Sequence, residues 1–247
     1  MKIIINTEYE YLRSFIEEIV VNFENQGKLI YSGRNQIKVF STGDLLINVK
    51  RYGVPSLFNR IIYSYFRPSK GFRAFTYPQM LLAKGFQTPH PVAYVEEESF
   101  GLIKHSYFVS IQCPYKRKFY EFGDADIEEC KDVVKAFARY TARLHEAGIL
   151  HRDYSPGNIL FDKIDGEYQF SLVDINRMSF GIVDIRRGCA NFARLWGQIP
   201  FFEYLAKEYA LARGADEAEC TRLILAYRKK FWKRFASKHR IKYKLEF

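Results

Sequence analysis

The stretch from Leu144 to Asn176 constrains the fold of this chain more than any other segment: LHEAGILHRDYSPGNILFDKIDGEYQFSLVDIN. Asn158 follows Asp153 by five residues, and Asp174 follows Asn158 by sixteen, at the end of a β-like run. Two β-like runs, ILFD and YQFSLVDI, are joined by the turn signal KIDGE, which predicts a strand pair. The segment therefore predicts a polar loop, two paired strands and a terminal carboxylate, in that order.

A long helix is predicted before this loop. Asp126, with Glu129 three residues later, is typical of a capping box at a helix start. Gly148 stands where a C-cap glycine belongs. One buried helix face is indicated because small and apolar side chains recur at three- and four-residue steps: Cys130, Val134, Phe137, Thr141 and Leu144.

The spacing of the three polar residues fits phosphoryl transfer from a nucleotide. That chemistry needs one carboxylate to orient the attacking hydroxyl and accept its proton, and a second carboxylate with an amide oxygen to hold Mg²⁺ on the phosphates. Residues 151–158 match the HRDxxxxN signature of protein kinases in full. A single loop Asp or Asn more commonly forms an Asx turn, but that alternative does not explain the joint spacing. We therefore predict a kinase-like site.

The second half of the site departs from the protein-kinase form. Asp174-Ile175-Asn176 stands where DFG is expected, and no APE motif follows. The segment after Asn176 leaves little room for a long activation loop. These departures favour an acceptor that is not a protein.

The N-terminal part is β-rich. Residues 1–26 are a short lead-in that contains an amphipathic stretch, Tyr11 to Phe23. The β-like runs LIYSG, IKVF and LLINVKRY follow, separated by the turn signals GRN and TGD. Residues 56–84 are predicted to be mostly helical, with Pro68 and Pro78 as interruptions, and residues 91–112 form a second strand pair. The predicted fold class is α+β: a β-rich lobe at 1–112 and a helical lobe at 113–247, with Mg-ATP between them.

A strand lysine is expected to contact the nucleotide phosphates in such a fold. Lys50 is the better candidate because it ends an apolar run, and Lys38 is the alternative. A turn made of Gly33, Arg34 and Asn35 could present backbone N–H groups and a cation to phosphate. A plain hairpin turn is an equally good interpretation of these three residues.

The acidic partner of the phosphate lysine is missing. Between Arg51 and Val95 the chain contains no Asp or Glu, so the usual helix glutamate cannot come from this segment. Thr76 or Gln79 could offer a neutral hydrogen bond instead. This absence is the main reason to consider a degenerate kinase that binds nucleotide or acidic lipid without catalysis.

Several longer segments together resemble the Kdo/WaaP lipopolysaccharide kinase family, whose members are kinase-fold enzymes of Gram-negative bacteria: GRNQIKVF, INVKRY, TPHPVAYVEE, AFARYTARLHEAGILHRDYSPGNILF, FSLVDINRMSFG and NFARLWG. The resemblance implies ATP-dependent phosphorylation of Kdo or heptose in the lipopolysaccharide inner core. It implies Asp153 as the catalytic base, Asn158 and Asp174 as Mg²⁺ ligands, and Lys50 as the nucleotide-phosphate lysine. The family usually carries Glu where Thr76 aligns.

Charge and composition narrow the compartment and the partners. The net charge of +10 favours anionic partners, no apolar run approaches the length of a membrane span, and the first residues do not resemble a signal peptide. We expect a cytoplasmic protein with free thiols, because the four cysteines show neither zinc nor disulfide spacing: Cys113, Cys130, Cys189 and Cys220.

The C-terminal stretch RKKFWKRFASKHRIKYK interleaves aromatic residues with Lys or Arg at 228, 229, 230, 233, 234, 238, 240, 242 and 244. Such a helix can lie on an acidic membrane surface, here the cytoplasmic face of the inner membrane. A solvated basic helix that packs its aromatics inward is an equal alternative. Nucleic-acid binding lacks a recognition motif.

Other roles near the loop stay open. His151 is predicted to be structural, Arg152 to pair with a phosphate or an acidic substrate group, and Arg177 to contact an anionic sugar. The main alternatives to a lipopolysaccharide kinase are a non-catalytic binding protein and a kinase of soluble small molecules such as aminoglycosides. A protein kinase is least favoured.

Overall fold

The computed structural model describes residues 1–241, and the chain divides into two compact units, one of residues Met1–Pro114 and one from Tyr115 onward. The first unit is built on a large sheet, and the second is mostly helical. The predicted α+β class is confirmed. The boundary between the units lies two residues after the predicted division at 112/113.

The first unit contains a six-stranded antiparallel sheet with the strand order β1-β5-β6-β4-β3-β2. The two predicted groups of strands thus join in one sheet, and the lead-in adds a strand to its edge. The strands are β1 Lys2–Ile5, β2 Lys28–Ser32, β3 Asn35–Thr42, β4 Leu45–Tyr52, β5 Pro91–Ser99 and β6 Leu102–Ile111.

The register divides the sheet into two faces. Lys38 of β3 lies opposite Val49 of β4, and Lys50 of β4 lies opposite Ile37 of β3. Because side chains alternate along a strand, Lys38 and Lys50 point to opposite faces. We call these the Lys38 face and the Lys50 face.

The Lys38 face is covered by the N-terminal residues. A 3₁₀ turn, Thr7–Leu12, leads into the short helices α1, Arg13–Glu17, and α2, Ile19–Asn22. Phe23 packs edge-on against Tyr107 of β6 at 5.6 Å between ring centroids. The amphipathic lead-in thus buries its apolar side in the core of this unit: Leu12, Ile16, Ile19 and Phe23 against Phe40, Ile47, Val49 and Val109.

Helix α4, Lys70–Leu82, packs on the Lys50 face, where Phe72 contacts Tyr94 of β5 at 5.6 Å. Helix α3, Leu57–Tyr65, precedes it, and Pro68 lies in the interruption between the two helices as predicted. The prediction that Pro78 also interrupts the helix is wrong. Pro78 is buried inside α4 together with apolar neighbours, and this packing offsets the one backbone hydrogen bond that proline cannot make.

The second unit contains four helices and five strands within the described residues. Its strands form two small sheets, β10-β9-β7 and β11-β8. The helices are α5 Ile127–Glu146, α6 Ile185–Asn191, α7 Ile199–Arg213 and α8 Glu217–Ala236, and the strands are β7 Arg117–Lys118, β8 Ile149–His151, β9 Ile159–Ile164, β10 Glu167–Leu172 and β11 Met178–Phe180.

An aromatic cluster forms the core between α5 and the β9–β10 strand pair. The ring of Phe119 lies 4.1 Å from that of Phe137 on α5 and 5.7 Å from that of Phe161 on β9. Phe170 of β10 completes the cluster at 5.5 Å from Phe137. Buried aromatic pairs of this kind add to the stabilisation from area alone, so the strand pair beside the polar loop has a rigid base.

The ends of α5 lie close to the predicted positions. Asp126 is the N-cap, but its side chain accepts from the backbone N–H of Glu128 at 2.9 Å rather than from that of Glu129. Gly148 has a φ of +73° directly after the C-cap residue, as predicted for a C-cap glycine.

Helix α8 uses its aromatic residues inside the second unit. Trp232 is buried, its Nε1 donates to the carbonyl of Leu195 at 3.1 Å, and its ring packs against Trp196. Arg228 is also buried and donates to the carbonyl of Gly197 at 2.6 Å. These contacts favour the solvated-helix interpretation of this segment. Lys242 and Lys244 lie outside the described residues.

The predicted free thiols are confirmed: three of the four cysteines are buried, and Cys113 is partly exposed. Among residues 1–241, no helix has both the length and the apolar composition to cross a bilayer.

Candidate active site

A turn and a strand pair position the loop that carries Asp153. The left-handed Gly148 ends α5 and turns the chain into β8. His151 of β8 pairs with Met178 of β11. The N–H of Arg152 donates to the carbonyl of Arg177, directly before β11, at 3.2 Å. The backbone is therefore fixed by strand pairing up to the residue before Asp153.

The β9–β10 hairpin explains the long spacing between Asn158 and Asp174. Ile159 lies opposite Leu172 in the ladder. The N–H of Val173 then donates to the carbonyl of Asn158 at 3.0 Å. A separation of sixteen residues in sequence becomes close proximity at one end of the hairpin, as the sequence predicts.

The carboxylate of Asp153 is held by two arginines. Arg194 forms an ion pair with its Oδ1, and Nη1 of Arg177 lies 3.6 Å from its Oδ2. The backbone carbonyl of Asp153 accepts from Nδ2 of Asn158 at 2.9 Å and from the N–H of Ser155 at 2.8 Å. Both the carboxylate and its peptide are thus oriented, and the surrounding cations suit an anionic ligand.

His151 acts as a buried spacer. Its Nδ1 accepts from the backbone N–H of Asp153 at 3.1 Å, and its Nε2 lies 3.0 Å from the carbonyl of Val173. This pair of contacts requires a neutral ring with the proton on Nε2. Burial lowers the pKa of His151 below its ordinary value, which agrees with that state. The ring joins the residue before Asp174 to the Asp153 peptide, the structural role that the sequence predicts.

Asp174 lies in the left-handed region with a φ of +56°. Asp tolerates this conformation better than most residues because its short polar side chain can bond locally. Nδ2 of the buried Asn176 donates to Asp174 Oδ1 at 2.6 Å. The Asn that replaces the glycine of DFG therefore orients the carboxylate.

The donor set of this site fits Mg²⁺. Nδ2 of Asn158 bonds to the Asp153 carbonyl, which directs the carboxamide oxygen away from that bond, and Asp174 supplies a carboxylate. Oxygen ligands of this kind, one or two per ion together with substrate phosphates, are what Mg²⁺ prefers. Residues 1–241 hold no group of three or more His, Cys, Asp or Glu side chains suited to a metal.

Arg194 is the functional candidate that the sequence did not reveal. It ends the 3₁₀ turn Phe192–Arg194, and its guanidinium lies 5.2 Å from the ring centroid of Phe231 on α8. Burial lowers its pKa from the ordinary value. Its position within NFARLWG was the available signal, but no spacing rule connects it to Asp153.

A buried network of hydrogen bonds holds the backbone of the loop at His151. Nδ2 of Asn191 donates to the carbonyl of His151 at 2.8 Å, and Oδ1 of Asn191 accepts from Nε2 of His145 at 3.1 Å. The hydroxyl of Tyr209 lies 2.9 Å from Nδ1 of His145 and accepts from Arg213 at 2.7 Å. Burial is the main cause that lowers the pKa of His145 to about 4. This neutral histidine is a structural element of the site, not a proton carrier.

The two candidate lysines are separated by the strand register. Lys38 donates to the carbonyls of Phe23, Glu24 and Gln26 on the covered Lys38 face. Lys50 lies on the other face, with its Nζ 5.2 Å from the ring centroid of Tyr52. Lys38 thus binds the backbone carbonyls that follow α2. Lys50 lies on the face of the sheet that α4 covers.

The Gly33 turn joins β2 to β3, and the N–H of Gly33 donates to the carbonyl of Asn35 at 3.0 Å. Arg34 and Asn35 line a cavity of about 260 Å³ within the first unit, but Gly33 and Lys50 do not. The charged residues among those that line the cavity are all cationic: Arg34, Lys70 and Lys104.

Thr76 occupies the place where the family glutamate was expected. Its hydroxyl donates to the carbonyl of Phe72 within α4 at 3.1 Å. An intrahelical bond of this kind stabilises the hydroxyl without any lysine partner. The sequence of α4 contains no Asp or Glu, so this helix offers no carboxylate to Lys50.

The model of the lipopolysaccharide kinase (Kdo/WaaP) family matches residues 32–227, which include Lys50, the polar loop and Arg194. The chain belongs to this family. It is therefore a kinase, and the resemblance seen in its motifs is confirmed. No curated protein matches the sequence significantly.

A solved structure described as "WaaP in complex with acyl carrier protein" is similar to this chain, with a TM-score of 0.61 and 17% sequence identity. The alignment covers 94% of this chain and 99% of that one. At this identity the likeness shows the fold, and it confirms the predicted kinase-like class. Because 1439 chains of known structure match, the fold alone selects no acceptor.

Proposed function

We propose that this kinase transfers the γ-phosphate of ATP to a sugar hydroxyl of the lipopolysaccharide inner core, on Kdo or heptose. Family membership supports a lipopolysaccharide kinase and, through it, the use of ATP. The observation that carries the residue assignment is the position of three residues at one end of the β9–β10 hairpin: Asn158 donates to the Asp153 carbonyl, and Val173, directly before Asp174, donates to the Asn158 carbonyl.

In this proposal Asp153 receives the proton of the sugar hydroxyl. The ion pair with Arg194 and the hydrogen bonds to the Asp153 backbone fix the direction of the carboxylate before the acceptor arrives. Preorganisation of this kind lowers the cost of reaching a reactive geometry. Arg177, half-exposed beside the same carboxylate, is placed to contact an acidic group of the sugar.

Asn158 and Asp174 would hold Mg²⁺, which neutralises charge on the transferring phosphates when bound. Asn176 keeps the Asp174 carboxylate oriented for that task. Lys50 would contact the nucleotide phosphates, and the Gly33–Asn35 turn, with the Arg34 guanidinium, would supply further donors. The cationic lining of the adjacent cavity supports an anionic ligand there.

ATP as donor and a membrane-held sugar as acceptor place the reaction at the cytoplasmic face of the inner membrane of a Gram-negative bacterium. WaaP was solved with acyl carrier protein, so that protein is a partner to test by co-purification with this chain.

The acceptor is identified by incubating the protein with γ-labelled Mg-ATP and either Kdo-containing lipid A or a heptose-bearing core. Label on one acceptor assigns the sugar. No label on either, from folded protein, would contradict the inner-core proposal, and a panel of aminoglycosides would then test the small-molecule alternative.

A further inference from the structure

Helix α3 exposes its apolar side. None of its residues is buried, and Leu57 and Phe58 are 65% and 73% exposed. At 3.6 residues per turn, Leu57, Phe58, Ile61 and Tyr65 fall within a sector of roughly 100°. All four are exposed, and Phe66, directly after the helix, is 80% exposed. One entire apolar helix face is therefore in solvent.

Polar contacts hold α3 in this orientation. Nε of Arg60 donates to the carbonyl of Ile103 on β6 at 2.7 Å, and Nη2 donates to the carbonyl of Ser99 at 3.2 Å. Oγ of Ser64 accepts from the N–H of Ile103 at 3.0 Å. The helix is thus fastened to the β5–β6 hairpin through its polar side chains. This is the reverse of an ordinary surface helix, which packs its apolar face inward.

The tip of the same hairpin extends the apolar surface. Phe100 has a φ of +54° and is fully exposed. A bulky residue rarely occupies this conformation, for which glycine or asparagine is the usual choice. Val54, in the loop before α3, is exposed as well. We call Val54, Leu57, Phe58, Ile61, Tyr65, Phe66 and Phe100 the α3 patch.

The charges close to the α3 patch are mostly cationic. Arg60 lies on α3 and Arg67 follows Phe66, and Lys70 and Lys104 line one cavity together with Val54. On the neighbouring hairpin, Glu97 pairs with Lys104 at 3.6 Å and accepts from Tyr107, and Glu96 accepts from Tyr94. Two of its three acidic side chains are therefore internally engaged, and Glu98 is exposed.

We propose that the α3 patch inserts into the headgroup region of an anionic lipid bilayer. Contiguous exposed apolar patches, rimmed by polar residues, mark interaction surfaces. An amphipathic helix with adjacent cations binds acidic membranes through buried apolar area and electrostatic attraction. A second copy of the chain is a poorer occupant, because a two-fold contact would place the same cations against each other.

Vesicle co-sedimentation without nucleotide or acceptor tests this surface independently of the proposed catalysis. The protein is mixed with phosphatidylcholine vesicles with or without phosphatidylglycerol. The triple variant Leu57→Ser, Phe58→Ser and Phe66→Ser removes three exposed side chains and should fold normally, as circular dichroism would show. A matched triple variant replaces three equally exposed residues elsewhere: Val21→Ser, Ile182→Ser and Leu211→Ser.

We expect the wild-type protein and the matched variant to bind the anionic vesicles more tightly than the neutral ones, with binding that weakens as salt is added. We expect the α3 variant to lose roughly tenfold or more of its partition coefficient. Equal vesicle binding by all three proteins, or none by the wild type, would overturn the proposal. A wild-type dimer that the α3 variant turns into a monomer, with vesicle binding unchanged, would assign the patch to a second copy instead. Unchanged vesicle binding with lost affinity for an acidic protein would assign it to a protein partner.

Discussion

The roles of single residues depend on which sheet face they occupy. Lys38 and Lys50 both lie in β-like runs with apolar neighbours, and composition does not separate them. The ladder puts Lys50 opposite Ile37 and Lys38 opposite Val49, and a period of two then sends them to opposite faces. The sequence favours Lys50 from its place at the end of a strand, and the register shows that Lys38 instead lies on the covered face, where it bonds to backbone carbonyls.

Replacing each lysine separates the two roles. Lys50→Met is expected to weaken ATP binding and turnover with little change in stability, because the nucleotide phosphates lose the lysine that contacts them. Lys38→Met should reduce stability by about 1–3 kcal/mol, since three carbonyls lose their donor, and leave the KM for ATP within about twofold. Urea unfolding and steady-state kinetics measure both. A reversed pattern would assign the nucleotide to Lys38.

His145 should make stability fall in acid. Its folded pKa of about 4 lies below the ordinary value near 6.5, so the unfolded chain binds more protons between those pH values. Stability is then fully present above about pH 6.5 and is lost toward pH 4, by roughly 3 kcal/mol at most. The nearby Arg213 guanidinium acts in the same direction, and the other groups around the ring are the neutral Tyr209 and Asn191.

The matched pair His145→Gln and His90→Gln tests this slope, because His90 is exposed. Chemical unfolding between pH 7.5 and 4 should give a flatter profile for His145→Gln alone, with lower stability at pH 7.5 from its imperfect hydrogen bonds. An unchanged slope in His145→Gln would mean that another group controls the acid loss.

The proximity of candidate site residues was predictable to the extent that sequence spacing reports on local structure. The grouping of Asp153, Asn158 and Asp174 was predictable because a loop and one hairpin connect them. Arg194 was not, because it reaches Asp153 across 41 residues through packing of a short turn against Phe231. No periodicity encodes such a contact.

At the scale of elements, helix existence was predictable and helix environment was not. The sequence predicts an amphipathic stretch before β2 but not its position, and α1 and α2 cover the Lys38 face of the sheet. Helix α3 is amphipathic too, but its apolar face is exposed. A periodic pattern states that one face differs from the other, and long-range contacts decide which face is covered.

Phe23 should be a major contributor to the first unit. It is fully buried and contacts Phe40 and Tyr107, with the Arg51 guanidinium 4.6 Å from its ring centroid. Phe23→Ala is expected to cost about 3–5 kcal/mol, because truncation leaves a cavity. Val21→Ala, at an exposed position in the same helical segment, should stay within about 0.5 kcal/mol. Equal midpoints in urea unfolding would show that the N-terminal helices do not stabilise the sheet.

At the scale of the whole molecule, the sequence predicted the class and the order of the parts. The chain has a β-rich unit followed by a helical unit, and its family match spans residues 32–227. The excess of 38 Lys and Arg over 28 Asp and Glu predicted anionic partners but not their location. The basic aromatic tail is the sequence's candidate for an acidic surface, yet Trp232 is used internally, and α3 carries an exposed apolar face.

The most direct test of the account is the transfer of phosphate to the lipopolysaccharide acceptor by the wild type and by Asp153→Asn. Mass spectrometry of the acceptor after incubation with Mg-ATP detects one added phosphate per molecule. The isosteric change keeps the backbone hydrogen bonds that position the loop and removes the proton acceptor. We therefore predict a loss of roughly 100-fold or more in rate with an unchanged melting profile. Turnover at the wild-type rate in folded Asp153→Asn would contradict the central role of this residue.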